Sequence, residues 1–291
     1  MLNRNASSSI DDVRHRLESV IPDTASIIVV HSGIWGFARD MGIPIRDVPD
    51  AIIDVLMDIA GTKRTLIMPA FTFQFPGSKV FDKKRTKPQT GILVESFLKH
   101  PGVRRSSQPI FSYAAFGPDA DAMLSCRCST AWGKDSVMGW FEDVDALFVS
   151  LGVHSLLSCT YYHTAEERQS VPYRYHKRFT GTLYDDGKEV GPCEEVFFVR
   201  PLGVEMEFLG KPADDRLENE GYKIRPPETE GVFVESMTVR DIIRISSEVI
   251  TDDPYAMVLE KDRDAVRTWI DAGNLDKEIA TLGPEQKYTL E

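Results

Sequence analysis

Short strand-like runs alternate with longer helical segments over roughly the first 175 residues of the chain. Residues 26–30 (SIIVV) and 65–68 (TLIM) are the clearest strand-like runs. Between them, residues 50–60 carry apolar side chains at positions 52, 53, 56, 57 and 60, which is a helical period, and Gly61 follows as a C-cap. Strands that alternate with helices form parallel sheets with helices on their faces. The pattern therefore predicts an α/β fold with a central, mostly parallel sheet flanked by helices.

The pattern changes after Arg178, where two strand-like runs flank a strong turn signal. Residues 179–184 and 195–200 lie on either side of the sequence DDGK, which predicts a β-hairpin appended to the sheet. The other predicted elements are strands over residues 111–116 and 146–151 and helices over residues 9–20, 91–100, 212–219, 239–248 and 262–272.

The length of 291 residues suits a single domain that needs no disulfide framework. We expect this domain to cover residues 1–273, with a core over 1–178 and a hairpin and helical part over 179–273. Residues 274–291 are expected to form a polar tail.

Charge and apolar patterning exclude several classes of protein. The chain has 34 Lys and Arg against 45 Asp and Glu, a net charge of −11, and its longest basic run covers only residues 83–87. A nucleic-acid partner is therefore not expected, because phosphate neutralisation needs a broad positive face. The sequence contains no apolar run of the ~20 residues that span a bilayer, no secretory signal pattern and no C-x-x-C pair. We expect a cytoplasmic protein with reduced thiols and no membrane partner.

Polar, chemically capable residues follow three of the predicted strands. They are His31-Ser32-Gly33, residues 69–72 (PAFT) and residues 152–166 (GVHSLLSCTYYHTAE). Ligands of open parallel sheets bind beyond the carboxyl ends of the strands. The sequence therefore predicts a ligand site formed by these three segments.

Within the third segment, Thr160, His163 and Glu166 stand three residues apart. On a helix, residues at this spacing share one face, so His163 and Glu166 would be in contact. A carboxylate fixes the tautomer of an imidazole and raises its basicity, as a general base requires. Thr160 would then be placed to donate a hydrogen bond to a developing oxyanion.

Three other interpretations of this segment stay open on spacing alone. On spacing alone, His163 and Glu166 are more typical of an ordinary surface or capping pair. They would serve as metal ligands if His154 or His176 supplied a third ligand. Cys159 is a conceivable nucleophile, although a small buried apolar role suits it better.

Six segments, taken in their order, resemble one known family. They are HSGIWG, GTKRTLIMPAFTF, FDKKRTKPQTGILVESF, PGVRRSSQPIFSYAAFG, GKDSVMGWF and LGVHSLLSCTYYHTAEER. Each motif is weak alone, but together they resemble the aminoglycoside 3-N-acetyltransferase family from about residue 26 to residue 180.

The resemblance implies direct transfer of an acetyl group from acetyl-coenzyme A to an amine, without a metal. It implies that His163 deprotonates the amine, that Glu166 orients His163 and that Thr160 assists the tetrahedral intermediate. The residues that match the family's remaining contacts fall into two groups. Coenzyme A contacts would be His31, Ser32, Gly33, Arg105, Ser106, Phe111 and Ser112, and acceptor contacts would be Asp82, Glu95 and Thr72.

The chain departs from the family pattern at three places. The stretch after His31-Ser32 lacks the family's paired glycines, and Arg39 or Arg46 would have to supply phosphate contacts instead. Gln108 stands where the family's R-S-x-H-P motif has histidine. The basic run over residues 83–87 predicts an anionic acceptor, a solvated loop or a contact with the 3′-phosphate of coenzyme A, and these alternatives stay open.

The main functional hypothesis is an acyl-coenzyme A-dependent N-acyltransferase that acts on an amino sugar or a related small amine. The alternatives are a metal-dependent hydrolase that uses His163 and Glu166 as ligands, and a non-catalytic binding protein on the same scaffold. The expected partners are the small-molecule amine and coenzyme A, and homodimerisation is left open.

Overall fold

The computed structural model describes residues 9–227 and 231–288. Within these residues the strands are β1 (Ile27–Ser32), β2 (Thr65–Pro69), β3 (Val80–Asp82), β4 (Arg104–Arg105), β5 (Tyr113–Phe116), β6 (Leu147–Leu151), β7 (Tyr175–Asp185), β8 (Lys188–Val199) and β9 (Val234–Thr238). The helices are α1 (Ile10–Val20), α2 (Val48–Ala60), α3 (Phe75–Ser78), α4 (Ile92–Phe97), α5 (Ala120–Leu124), α6 (Val137–Asp143), α7 (Ser155–Ser158), α8 (Tyr162–Arg168), α9 (Lys211–Asn219), α10 (Val239–Asp252), α11 (Glu260–Asp271) and α12 (Asn274–Ala280).

A central sheet of six strands has the order β4-β5-β2-β1-β6-β9. The predicted α/β fold, with a sheet flanked by helices, is confirmed. Parallel pairing is confined to the three inner strands β2, β1 and β6, whereas β4, β5 and β9 pair antiparallel. The loop between β4 and β5 is too short for a crossover helix, so these two strands can pair only as a hairpin.

The inner strands are buried on both faces because helices cover both sides of the sheet. Ile28 and Leu66 pack in one apolar cluster with residues of α1, α2 and α4. Val29 and Ile67 pack in a second cluster with residues of α6, α8 and α10. Successive strand residues face opposite sides, so each apolar run supplies both clusters.

The predicted hairpin is confirmed and is longer than its apolar runs suggested. Strands β7 and β8 pair antiparallel over their length and turn at Asp186-Gly187, and β3 adds to β7 in parallel. Strand β7 already begins at Tyr175, ahead of the expected boundary at residue 178.

Two C-terminal elements were not predicted from the sequence. Strand β9 pairs with β6 at the edge of the central sheet, so residues beyond 178 contribute to that sheet. Its sequence, VESMT, has no apolar run that would predict a buried strand. The buried Glu235 is tolerated there since it accepts hydrogen bonds from the Ser155 N–H and the Arg225 side chain. Part of the predicted polar tail forms α12.

Among the described residues, no helix combines the length and the apolar character that crossing a bilayer requires.

Gly117, directly after β5, has a backbone conformation and surroundings that exclude a side chain. Its φ is +125°, and a Cβ there would lie 2.5 Å from the Arg64 carbonyl oxygen. We expect Gly117→Ala to lower the free energy of unfolding by about 2 kcal/mol or more, measured by urea denaturation. The matched control is Gly36→Ala, because a Cβ at Gly36 has nothing within 4 Å. Equal stability of the two variants would contradict this expectation.

Candidate active site

The carboxyl ends of β1, β2 and β6 meet at one edge of the sheet because these strands are parallel. The N–H of Gly33, after β1, donates to the Leu151 carbonyl of β6 at 2.8 Å. The His31 ring contacts the Ser158 carbonyl at 2.7 Å. The predicted meeting of the segments that follow β1 and β6 is therefore present in the structure.

His31 lies inside this edge rather than on its surface. Its ring packs against Phe148 and Tyr161, with centroid distances of 5.1 and 5.8 Å. Nδ1–H donates to the Ser158 carbonyl, and the buried Nε2 has no hydrogen-bond partner in the described chain. Burial lowers the pKa of His31 to about 4, so the ring is neutral at physiological pH. In this position His31 fixes the segment after β6.

Helix α8 brings His163 and Glu166 into contact, as their spacing predicts. His163 Nδ1 lies 2.5 Å from Glu166 Oε2. The helix starts with the His163 N–H donating to the Thr160 carbonyl at 3.1 Å. The Thr160 hydroxyl is buried and faces the Tyr113 side chain.

Two residues that sequence analysis missed complete the surroundings of Glu166. The Tyr173 hydroxyl donates to Glu166 Oε1 at 2.8 Å, and Arg174 Nε lies 3.0 Å from the same oxygen. Burial by itself raises the pKa of Glu166, but Arg174, His163 and Tyr173 together lower it to about 2. Glu166 is therefore a buried anion at neutral pH. The spacing of residues along a helix does not predict the contacts of Glu166 with residues 173 and 174, because α8 ends at Arg168.

His163 is neutral at physiological pH and partly open to solvent. Burial, and then the Arg174 guanidinium, lower its pKa by more than Glu166 raises it. The side chain keeps 24% of its surface exposed, and Phe208 packs against the ring at 4.7 Å. With Nδ1–H donated to Glu166, Nε2 carries the lone pair. This is the tautomer that a general base requires.

A cavity of about 800 Å³ opens beside His163. The strands β7 and β8 and the segment over residues 200–208 form its walls. Its lining residues are His163, Arg174, Tyr175, Lys177, Phe179, Phe197, Val199, Arg200, Leu202, Met206, Glu207 and Phe208.

Four of the residues expected to contact coenzyme A do not line this cavity and lie in the framework around β5: Arg105, Ser106, Phe111 and Ser112. The buried Arg105 donates to the Thr86 carbonyl at 2.6 Å, to Ser112 Oγ at 3.0 Å and to the Ala70 carbonyl. Burial lowers the pKa of Arg105 to about 10, so it remains a cation. It therefore ties the chain's own loops together, and its contact with coenzyme A stays a prediction.

Ser106 and Phe111 have similar structural partners. Ser106 Oγ accepts the Tyr113 N–H at 3.0 Å. The Phe111 ring lies 5.2 Å from that of Phe197, which lines the cavity, so Phe111 stands one ring behind the cavity wall. Ser32 and Gly33 lie half-buried at the end of β1.

The three residues expected to contact the acceptor, Asp82, Glu95 and Thr72, are not among the described lining residues of this cavity, and their contact with the acceptor stays a prediction. Asp82 accepts hydrogen bonds from the backbone N–H groups of residues 84, 85, 186 and 187, which clamp the hairpin turn. Burial raises the pKa of Asp82, but these N–H groups outweigh it and lower the pKa overall. Glu95 pairs with Lys87 at 3.2 Å, and the Thr72 hydroxyl donates to the Pro109 carbonyl.

The basic run over residues 83–87 is largely neutralised by the hairpin and by α4. Lys83 lies 3.0 Å from Asp185, Arg85 lies 3.3 Å from Asp186, and Lys87 pairs with Glu95. The run is therefore not a free positive surface, and the anionic acceptor inferred from it loses that support.

Cys159 is a buried apolar residue, as expected. Its exposed fraction is 8%, and burial raises the pKa of its thiol to about 12. A thiol that stays protonated is a poor nucleophile.

Each loop that follows a parallel strand exposes one large apolar side chain. Trp35, Phe73 and Leu157 are 65%, 52% and 81% exposed. Sequence analysis did not single them out, although each lies within a few residues of a predicted strand end. Exposed apolar side chains at such an edge are typical of a ligand-binding surface.

The buried, neutral His31 makes stability depend on pH. The unfolded chain binds a proton at His31 below pH 6.5, whereas the folded chain does so only below about 4. Stability therefore falls as the pH drops through this window, by about 2 kcal/mol between pH 7.5 and pH 5. Between pH 7.5 and pH 5, we expect the free energy of unfolding of His31→Gln to fall by about 2 kcal/mol less than that of wild type. Urea denaturation at the two pH values measures this difference. His100→Gln, at a partly exposed histidine, is the control, and equal losses in all three proteins would reject the assignment.

Comparisons with known proteins agree with this architecture. The chain is 28% identical over 167 residues to aminoglycoside N(3)-acetyltransferase IV from Salmonella sp., and the match spans 56% of this chain and 60% of that protein. The crystal structure of aminoglycoside acetyltransferase AAC(3)-IVa superposes with a TM-score of 0.68 at 23% identity, covering 91% of this chain and 99% of that one. YokD from Bacillus subtilis superposes with a TM-score of 0.68 at 16% identity, covering 86% and 95% of the two chains. These structural matches show the same fold.

The family model for aminoglycoside 3-N-acetyltransferases matches residues 30–199, which include the second half of β1, the His163–Glu166 pair and the hairpin. This segment is more than half of the chain, and we conclude that the chain belongs to the aminoglycoside 3-N-acetyltransferase family.

Proposed function

We propose that the protein is an acyl-coenzyme A-dependent N-acyltransferase that acetylates a small-molecule amine, with His163 as the general base. The observation that carries the proposal is the neutral His163 ring, held by the anionic Glu166 and open to an 800 Å³ cavity. Family membership supports the same reaction class.

In the proposed reaction, His163 Nε2 takes a proton from the acceptor amine as its nitrogen attacks the thioester carbonyl. Glu166 holds Nδ1–H and stabilises the imidazolium that forms. Thr160, at the start of α8 three residues before His163, is the proposed donor to the oxyanion. When the C–S bond breaks, His163 returns the proton to the coenzyme A thiolate, so the imidazole ends the cycle neutral.

The donor is expected to bind at the carboxyl edge of β1, β2 and β6. The exposed Trp35, Phe73 and Leu157 offer apolar contacts, and Arg39 and Arg46 are exposed cations for phosphates. The residues that stay proposed for the donor side on the family pattern are His31, Ser32, Gly33, Arg105, Ser106, Phe111 and Ser112. Arg105 would act mainly by holding Ala70, Thr86 and Ser112 together, since its three hydrogen bonds go to these residues.

The acceptor class is proposed from the relatives. AAC(3)-IVa has been crystallised as a histidine-to-alanine mutant in complex with a gentamicin and with apramycin. Both ligands are small molecules that carry amines, which supports a small-molecule amine as the acceptor of this chain.

The metal-dependent hydrolase is less well supported by the contacts of Glu166. One oxygen accepts from Tyr173 and pairs with Arg174, and the other contacts His163. Arg174 thus already provides the cation that a bound metal would supply, and it would repel a second cation at this carboxylate.

We expect His163→Ala to lower turnover by about 10²- to 10⁴-fold, because the acceptor then loses its base. Turnover is measured as the coenzyme A thiol released from acetyl-coenzyme A with gentamicin or an amino sugar as acceptor. His100→Ala, at a histidine outside the cavity lining, serves as the control. Thermal unfolding of both variants would show that the fold is retained, and wild-type turnover in His163→Ala would rule out this base.

Coenzyme A binding separates the transferase from a non-catalytic binding protein. At about 100 times its dissociation constant, a ligand stabilises the folded state by about 2.7 kcal/mol. We expect coenzyme A to raise the melting temperature of wild type, and to do so less in Trp35→Ala, because an apolar donor contact is lost. Val190→Ala removes an exposed side chain from the hairpin and is the control. An unchanged melting temperature at millimolar coenzyme A would contradict the donor assignment.

A further inference from the structure

The cavity beside His163 has more cationic than anionic side chains. Arg174, Lys177 and Arg200 line it, against the single carboxylate of Glu207 in the described lining. This imbalance is local, because the whole chain carries a net charge of −11.

Two of the three cations have no carboxylate partner among the described residues. Arg174 is paired with Glu166. Lys177 lies 5.5 Å from the centre of the Phe179 ring, and Arg200 donates to the Met206 carbonyl at 2.8 Å, but neither forms an ion pair within the described chain. Their charges are therefore available to a ligand.

Two carboxylates of this region, Glu207 and Glu278, have other partners. Glu207 Oε1 lies 3.7 Å from Lys261 Nζ. Glu278 accepts hydrogen bonds from the Tyr175 hydroxyl and from the Leu202 and Gly203 N–H groups. Neither one neutralises Lys177 or Arg200 by direct contact.

The remaining walls are aromatic and apolar. Phe179 and Phe197 stack at 5.4 Å with an angle of 18° between their planes. Phe208 closes the side next to His163. Apolar walls reduce the local dielectric constant, so a charge in the cavity interacts with Lys177 and Arg200 more strongly than in water.

A polycation is disfavoured in such a cavity, whereas an amine that also carries an anion is favoured. The same positive field lowers the pKa of an incoming ammonium group, which yields more of the neutral amine that can attack. We propose that the acceptor is an amine bearing an anionic group, a phosphate or a carboxylate, which Lys177 and Arg200 hold while the amine faces His163. This inference rests on the proposed function for the amine's role as acceptor.

The test compares matched acceptors in the intact protein with acetyl-coenzyme A. Glucosamine 6-phosphate and glucosamine differ by the phosphate, muramic acid and glucosamine by a carboxylate-bearing group, and gentamicin represents the polycations. We expect kcat/KM to be at least about tenfold higher for one of the anionic sugars than for glucosamine, and the two arms show which anion is preferred. The proposal would be overturned if neither anionic sugar had a higher kcat/KM than glucosamine, or if gentamicin had the highest kcat/KM.

Variants then locate the anion-binding contact. The ratio of kcat/KM for the anionic sugar to kcat/KM for glucosamine should fall about tenfold in Lys177→Gln and in Arg200→Gln, because KM for the anionic sugar rises. Thermal unfolding of each variant checks that the fold is retained. Lys188→Gln, an exposed cation at the far end of the hairpin, should leave the ratio unchanged. A rise in KM for acetyl-coenzyme A instead would assign the two cations to the donor and overturn the proposal.

Direct binding keeps this proposal separate from the proposed function. Isothermal titration of wild type and Lys177→Gln with glucosamine 6-phosphate and muramic acid needs no turnover. Binding that depends on Lys177, without acetylation of any amine, would support the anion site and reject the transferase. Acetylation of gentamicin that depends on His163, with no preference for anionic sugars, would support the transferase and reject the anion site.

Discussion

The buried ion pair between Glu166 and Arg174 is the interaction on which the candidate site depends. Burial alone would raise the pKa of Glu166 and favour the neutral acid, but Arg174 and its other partners lower that pKa to about 2. Because Glu166 stays charged, it can hold Nδ1–H of His163 and stabilise a proton gained at Nε2. Burial and then Arg174 lower the pKa of His163, so the ring is neutral at physiological pH. One guanidinium thus prepares both members of the pair.

This ion pair is also a structural connection between two parts of the chain. Glu166 lies on α8, against the central sheet, whereas Arg174 directly precedes β7 of the hairpin. The pair therefore fixes the position at which the hairpin leaves the core. The hairpin in turn provides the cavity wall formed by Phe179, Phe197 and Lys177. Loss of either partner would leave a buried charge unpaired, which costs several kcal/mol, so the geometry of the candidate site and the stability of the fold depend on the same contact.

Positive charge is divided between structural and ligand-facing positions. The run over residues 83–87, the most basic in the sequence, is paired with acids of the hairpin and α4. Arg105, which resembles a phosphate-binding residue by its motif, donates to carbonyl groups of the chain. The available cations lie on or next to strands of the hairpin: Lys177 on β7 and Arg200 directly after β8.

The sequence by itself determined the α/β class, the hairpin and the contact between His163 and Glu166, because each depends on local periodicity or on the three-residue spacing of a helix. It also predicted which strand ends lie together, since parallel strands must end at a common edge. Only the tertiary structure decided that β9 joins the sheet, that Tyr173 and Arg174 reach Glu166, and that Asp82 clamps a turn. These contacts join residues from separate elements, and their free energy comes from burial and charge pairing that no spacing along the chain records.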